Sequence, residues 1–281
     1  MIIDGKKCAE ELFLSLKEEI KEIPYTPKLV AVLVGNNPAS KTYLRLKKKK
    51  INELGLGFQL IELEVKADFE EIKLVIEKLN SDISVNGIII QLPLPPHLET
   101  REVVDLINPS KDVDCLTTVS LGKFYTGKSK ILPATPLGVI RLLEKYNLEL
   151  SGKRVCVIGR SDLVSKPLAI ALVSKDATVT ICHSKTINLQ EITKQSDIVI
   201  SAVGKAKFLT KDYFSHGQIV IDIGTSLDTN GKLSGDVDFE EVSQIVESIT
   251  PVPGGVGPMT IYGLIENLIN LSKNSYSEQE N

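Results

Sequence analysis

Residues 40 to 56, SKTYLRLKKKKINELGL, set four consecutive lysines in a segment with helical spacing. Asn37 stands where a helix N-cap belongs and Pro38 at the first helical position, where a missing N–H costs nothing. At 100° per residue, Ser40, Tyr43, Leu44, Lys47, Ile51 and Leu54 share a sector of about 100°, while Arg45, Lys48 and Lys49 point elsewhere. Lys47 therefore lies on the face that should meet the rest of the protein, one turn beyond Tyr43. Two outcomes are open to such a lysine. Its methylenes can cover apolar surface while the ammonium reaches water. Alternatively the amine is partly desolvated, its pKa falls toward neutrality, and it exchanges protons near pH 7. Lys48 to Lys50 read as a solvated charge run.

Other candidate groups follow apolar runs. Gln91 closes VNGIIIQLPLP (85–95), where a neutral amide can orient a carbonyl, an amine or a lysine. In KDVDCLT (111–117), Asp112 and Asp114 flank Val113. Either can cap a turn, or one can accept paired N–H donors from a guanidine-like heterocycle. In GDVDFEEV (235–242), Asp236 and Asp238 precede a short helix start and read as capping residues.

KRVCVIGRSDLVSKPLAIAL (153–172) has the order strand, turn, helix. Gly159 permits the tight turn, and the N–H groups opening the next helix can hold a phosphate. The spacing Gly159, Ser161, Ser165, Pro167 is not GxGxxG. The next strand ends in His183, Ser184 and Lys185, where sites that prefer NAD place an acidic residue on the ribose 2′-OH. Hydroxyl and cationic groups there would accept a 2′-phosphate, with Arg160 as a second donor, so NADP is the expected cofactor. The plainer reading makes His183 and Ser184 a polar turn.

Other chemistries find little support. GxSxG, HExxH and P-loop patterns are missing, and His97, His183 and His216 are not at metal-ligand spacings, so no metal is expected. Cys8, Cys115, Cys156 and Cys182 form no CxxC pair and read as reduced cytosolic thiols. A net charge of -3 advertises no nucleic acid. The N-terminus has no signal-like apolar region and no run of about eighteen apolar residues occurs, so no membrane association is expected and the location is read as cytoplasmic.

The elements that must position these groups alternate. Helical patterns at about 5–21, 38–54 and 69–80 separate apolar runs at 28–35, 57–65 and 85–95; after Pro136 a helix precedes KRVCVIG, TVTIC, DIVISAV and QIVIDIG. Such alternation predicts an α/β fold with parallel sheets in two domains. TPVPGGVGPMT (250–260) is expected to be non-helical, followed by a last helix that returns to the first domain. The expected division is 1–135 plus 259–281 for one domain and 136–258 for a Rossmann-like one. The polar SKNSYSEQEN end is expected to fray.

Taken in order, VGNNPASKTYLRLKKK, VNGIIIQLPLP, NPSKDVDC, VIGRSDLVSKP, ATVTICHSKT and ITPVPGGVGPMT resemble the bifunctional methylenetetrahydrofolate dehydrogenase/methenyltetrahydrofolate cyclohydrolase family, over almost the whole chain. The resemblance implies an N-terminal catalytic domain, a Rossmann-like NAD(P)-binding domain with a cleft between them, and a homodimer. It also implies NADP-linked oxidation of 5,10-methylenetetrahydrofolate, then hydrolysis of the methenyl product to 10-formyltetrahydrofolate. By resemblance Lys47 is the catalytic lysine, Tyr43 its partner, Gln91 its support and Asp114 the pterin-binding acid. By resemblance too, Arg160 and Ser184 contact the cofactor phosphate; with Gly159, Ser161, Ser165, His183 and Thr225 they are expected to line the cofactor. Pro93, Gly254, Gly255 and Pro258 wall the folate.

Departures from the family pattern are Cys115 and Ser165 for glycine, Ala134 for cysteine, and Thr225 and Ser226 for an aliphatic residue and asparagine. They bear on cofactor preference and on the balance of the two activities. A monofunctional member and another Rossmann oxidoreductase acting on a shikimate-like acid are the rival readings.

Overall fold

The computed structural model describes residues 1–229 and 231–279. The chain divides into two compact units, Phe13–Ala134 with Leu264–Asn281 and Met1–Leu12 with Thr135–Gly263. They are called here the lysine-helix unit and the glycine-turn unit. The division falls inside α1 (Gly5–Lys21), after the first residue of the helix Ala134–Lys145, and inside α10 (Val256–Gln279).

In the lysine-helix unit, β1 (Lys28–Val34), β2 (Gly57–Leu63) and β3 (Gly87–Ile90) form a parallel sheet in the order β2-β1-β3. Helices α2 (Pro38–Glu53) and α3 (Phe69–Ser81) make the crossovers. Central β1 is buried along nearly its whole length, as an unbroken apolar run in a parallel sheet should be. Asp68 caps α3 through Glu71 N at 2.9 Å, and Ile72, Ile76 and Leu79 pack its inner face on the sheet. Lys111 closes the far end of α3. Its Nζ donates to Leu79, Asn80 and Asp82 carbonyls at 2.9, 2.8 and 2.7 Å, satisfying groups a helix C-terminus leaves bare.

Two short helices, α4 (Thr100–Val104) and α5 (Thr118–Tyr125), complete the unit with the last part of α10. Gly87 is where that helix comes close. A Cβ there would lie 2.5 Å from Val113 and 2.8 Å from Leu268, while Asn267 Nδ2 donates to Val113 O and Leu132 O.

In the glycine-turn unit, α6 (Ala134–Lys145) leads to β4 (Arg154–Ile158), α7 (Ser165–Val173), β5 (Thr178–Cys182), α8 (Leu189–Lys194), β6 (Ile198–Ser201) and β7 (Ile219–Asp222). A hairpin of β8 (Ser226–Leu227) and β9 (Leu233–Ser234), one turn of helix α9 (Phe239–Val242) and β10 (Ser248–Ile249) follow. The five-stranded sheet is parallel throughout, in the order β10-β7-β6-β4-β5. From β4 the chain moves outward to β5 and then back to β6 on the opposite side, so the strand order reverses between β4 and β6. The first residues of the chain extend the β10 edge, with Ile3 N donating to Ile249 O at 2.8 Å and Ile249 N to Met1 O at 3.0 Å.

Three local expectations are corrected. Helix α10 begins at Val256, inside the stretch expected to be irregular, because Pro258 occupies the first turn, where its missing N–H has no helical partner to lose. Helix α6 likewise starts at Ala134, with Pro136 in its first turn. The helix also continues through the polar tail to Gln279, since extending an established helix is far easier than nucleating one. Glu280 and Asn281, where fraying was also expected, lie outside the described residues.

Candidate active site

Asn37 Oδ1 accepts from Ser40 N at 3.0 Å and Pro38 opens α2, which fixes the rotation of the lysine helix. Ser40, Leu44, Lys47 and Ile51 are buried, Leu54 is buried just beyond, and Tyr43 is half-buried. Lys47 is only 8% exposed, so it does not snorkel. Its Nζ donates to Gln91 Oε1 at 3.1 Å. Gln91 follows β3, and its own Nε2 donates to Leu92 O at 2.9 Å, an oxygen that Ser40 Oγ also reaches at 3.3 Å. Pro93 is exposed next to this corner. Burial pushes the Lys47 amine below its ordinary pKa, and the negative charge of Asp114 partly offsets that. Lys48 and Lys49 are exposed as expected. Lys50 is not simply solvated, because it lies 4.9 Å from the centre of the Phe13 ring and 2.8 Å from Glu53.

The structure separates the two aspartates of KDVD. Asp112 is fully buried and accepts Leu116 N at 3.1 Å and Thr117 N at 2.8 Å, so it is the turn-holding residue. Asp114 is half-buried and coupled to Lys47. Burial raises its pKa, Lys47 lowers it, and Asp112 adds a smaller upward push. Cys115 adopts φ +55 and is fully buried, so a glycine-like backbone is kept with a side chain on it, at a cost of about 1 kcal/mol.

In the glycine-turn unit, β4 ends at Gly159, whose φ of +137° suits glycine alone. A Cβ there would collide with Ser165 Oγ and come within 2.7 Å of Ala202 O, so the β4 turn and the end of β6 lie against each other. Ser161 Oγ accepts Val164 N at 3.2 Å and Ser165 N at 3.3 Å, which shapes the entry to α7. Ser165 is fully buried and its hydroxyl has no partner. His183 to Thr186 do form a turn: His183 N donates to Thr186 Oγ1 at 2.8 Å and Lys185 N to His183 Nδ1 at 3.2 Å. Arg160, Ser184, Lys185 and Thr225 are exposed. A glycine turn at the reversal point with exposed cationic and hydroxyl groups beside it fits a phosphorylated dinucleotide. Gly254, at φ +106, accepts Lys6 N through its carbonyl at 2.9 Å, Gly255 is buried, and Pro258 lies in the first turn of α10.

Sequence patterning missed one arrangement. Asp236 was expected to cap a helix, but its buried carboxylate accepts Ser201 Oγ at 2.7 Å, Val203 N at 2.6 Å and Lys205 N at 2.8 Å. Asp238 does stand at the N-cap of α9, yet its side chain makes no capping bond. Asp222, also buried, accepts Gly224 N, Asp236 N and Val237 N at 2.9, 3.1 and 2.8 Å. The available signal was the glycine preceding Asp236. Side chains at Gly235 and Gly224 would collide with the Asp222 and Asp236 carboxylates respectively.

Among the described residues no helix is long and apolar enough to cross a membrane, and no cluster of His, Cys, Asp and Glu could hold a metal ion. All four cysteines are buried and free.

Residues 3–114 match the model of the tetrahydrofolate dehydrogenase/cyclohydrolase catalytic domain, and residues 133–276 match that of the NAD(P)-binding domain of the same family. The chain is 45% identical over 273 residues to the bifunctional protein FolD of Methanoculleus marisnigri, covering 97% of this chain and 96% of that one. Its fold is similar to the crystal structure of the bifunctional enzyme FolD from Campylobacter jejuni, at 41% identity and a TM-score of 0.94 over 98% of this chain and 99% of that one. It is also similar to the Trypanosoma brucei N5,N10-methylenetetrahydrofolate dehydrogenase-cyclohydrolase complexed with NADP cofactor and inhibitor, at 35% identity and a TM-score of 0.93 over 98% of each chain. This chain belongs to the tetrahydrofolate dehydrogenase/cyclohydrolase family.

Proposed function

We propose that this protein oxidises 5,10-methylenetetrahydrofolate with NADP and then hydrolyses the 5,10-methenyl cation to 10-formyltetrahydrofolate. The observation that carries the reading is the buried Lys47 amine, hydrogen-bonded to Gln91 and electrostatically coupled to Asp114. NADP, when bound, supplies the hydride acceptor. Gly159, Ser161 and the exposed N–H groups before α7 hold its phosphates, while buried Ser165, whose N–H is bonded to Ser161 Oγ, shapes the turn beneath them. Arg160, His183 and Ser184 take the 2′-phosphate end, and Thr225 borders the nicotinamide end.

Asp114 accepts paired N–H groups of the pterin, and Tyr43 and Pro93 border the folate. Loss of hydride leaves a cation, beside which an ammonium would be unfavourable. Burial of Lys47 lessens that repulsion by favouring the neutral amine. In hydrolysis the neutral amine takes a proton from the attacking water as the C–O bond forms, then delivers it to the ring nitrogen as its bond to that carbon breaks, while the remaining hydroxyl proton is released to solvent as the formyl C=O forms. Gln91 holds the amine in place throughout. The buried free thiols suit a reducing, cytoplasmic setting, and a homodimer is the expected assembly.

Purified protein given 5,10-methylenetetrahydrofolate with NADP or NAD, followed through methenyl formation and decay, tests this. A kcat/KM at least tenfold higher with NADP, followed by decay well above the uncatalysed rate, is expected. No methenyl formation overturns the oxidation; methenyl that accumulates and decays only at the uncatalysed rate overturns the hydrolysis.

A further inference from the structure

In open parallel sheets, ligands bind outside the carboxyl ends of the strands where the strand order reverses, which in the glycine-turn unit is between β4 and β6. One lip of that crevice is the Gly159 turn and the other is residues 202 to 205, which touch it through Ala202 O. Ala202 N–H donates to Ile158 O at 2.8 Å and Val203 packs on the core, but beyond them Gly204 sits at φ +74, where the chain is conformationally free. Two of its amides, those of Val203 and Lys205, and the hydroxyl of Ser201 just before it are all taken by a single distant side chain, the Asp236 carboxylate.

Asp236 is itself held from below. Its backbone N–H donates to Asp222 Oδ1, and the close approach of Gly224 to its carboxylate leaves no room for another side chain. Asp236 is fully buried, so it cannot touch a bound dinucleotide. Its carboxylate can act only through the backbone it grips.

We propose that Asp236 is a positioning residue for the oxidation step: by gripping Ser201, Val203 and Lys205 it sets the lip that receives NADP. The proposal rests on the reading of this crevice as the NADP site. It requires no role for Asp236 in the hydrolysis of methenyltetrahydrofolate, which consumes no NADP.

Asp236→Asn keeps one acceptor oxygen but turns an NH2 toward at least one of the amides now bound. Ser201→Ala removes a single donor and leaves every backbone N–H satisfied. Both variants and wild type are assayed for NADP-dependent oxidation and, separately and without NADP, for hydrolysis of supplied methenyltetrahydrofolate. The expected result is an NADP KM raised at least tenfold by Asp236→Asn and about two- to fivefold by Ser201→Ala, with the kcat and KM of hydrolysis within twofold of wild type.

A folded Asp236→Asn with unchanged NADP KM overturns the proposal, as does parallel loss of both activities in a protein with wild-type circular dichroism. If Asp236→Asn does not fold, Ser201→Ala decides alone, and an unchanged NADP KM overturns it. Wild type that oxidises no methylenetetrahydrofolate is a different failure, of the functional reading itself.

Discussion

Lys47 Nζ and Gln91 Oε1 are 3.1 Å apart, and Gln91 Nε2 is tied to Leu92 O at 2.9 Å. The amide therefore faces the amine with its oxygen and cannot turn over without breaking both bonds. A neutral acceptor at that place holds Lys47 without supplying a charge that would keep it protonated.

Gln91→Glu follows directly from this relationship. A carboxylate there would favour the ammonium and raise the Lys47 pKa. On the proposed mechanism, in which hydrolysis uses the neutral amine, its pH–rate profile should move to higher pH by about one unit or more, with a rate at pH 7 lowered about tenfold. Lys47→Met, close in shape and free of the burial penalty of an amine, should remove hydrolysis by at least about 100-fold while keeping the thermal midpoint. A Gln91→Glu profile that superimposes on wild type would rule out Lys47 as the titrating base.

The inward turn of Lys47 was legible because it depends only on helical geometry and a local cap, both written between Asn37 and Leu54. The parallel α/β alternation was legible for the same reason. The division of labour between Asp112 and Asp114 was not, since alternate residues look equivalent until the turn that captures Asp112 is in place. Asp236 was misread as a cap because its partners are 31 to 35 positions away, on the far end of another strand. Local patterning reports which side chains a helix end can use, and a buried carboxylate serving a neighbouring loop leaves no periodic trace.

The two acids of KDVD should fail differently. Asp112→Asn places an NH2 against at least one of two buried amides, so it should cost about 1–3 kcal/mol, seen as a lower urea midpoint. Asp114→Asn should keep its stability within about 1 kcal/mol yet raise the KM for methylenetetrahydrofolate at least about tenfold. It also removes the charge that holds the Lys47 pKa up, so the hydrolysis limb should shift to lower pH. Equal stability losses in the two variants would show that the assignment of one acid to the turn and the other to the ligand is wrong.

Gly159 and Ser165 share one tight contact, and changing either has an opposite expected sign. Gly159→Ala adds a Cβ at a φ that suits glycine alone, against Ser165 Oγ and Ala202 O, and should lower the thermal midpoint and raise the NADP KM at least about tenfold. Ser165→Ala removes a buried hydroxyl that has no partner, so stability should hold or rise by about 1 kcal/mol. Differential scanning calorimetry reads both, and a clear fall in the midpoint for Ser165→Ala would mean the hydroxyl is satisfied after all.

Asp222 gives the fold a pH dependence of unusual sign for a carboxylate. Burial, with the Asp236 charge adding to it, outweighs the three amides that favour ionisation and raises its pKa from 3.8 to about 7. The native state therefore keeps a proton that the unfolded chain has already released. Between these two values the folded protein binds more protons, so stability from this group is complete below pH 3.8 and is lost as pH rises through about 7, at up to about 1.4 kcal/mol per pH unit. Asp222→Asn cannot ionise. Its amide offers a poorer fit to Gly224, Asp236 and Val237, which lowers stability by an offset independent of pH. Urea unfolding at pH 5, 6, 7 and 8 should therefore find wild type most ahead of the variant at pH 5 and the gap closing as pH rises. A gap that stays constant across that range would place the Asp222 proton off the native protein at pH 5, and with it the burial that is held responsible for the shift.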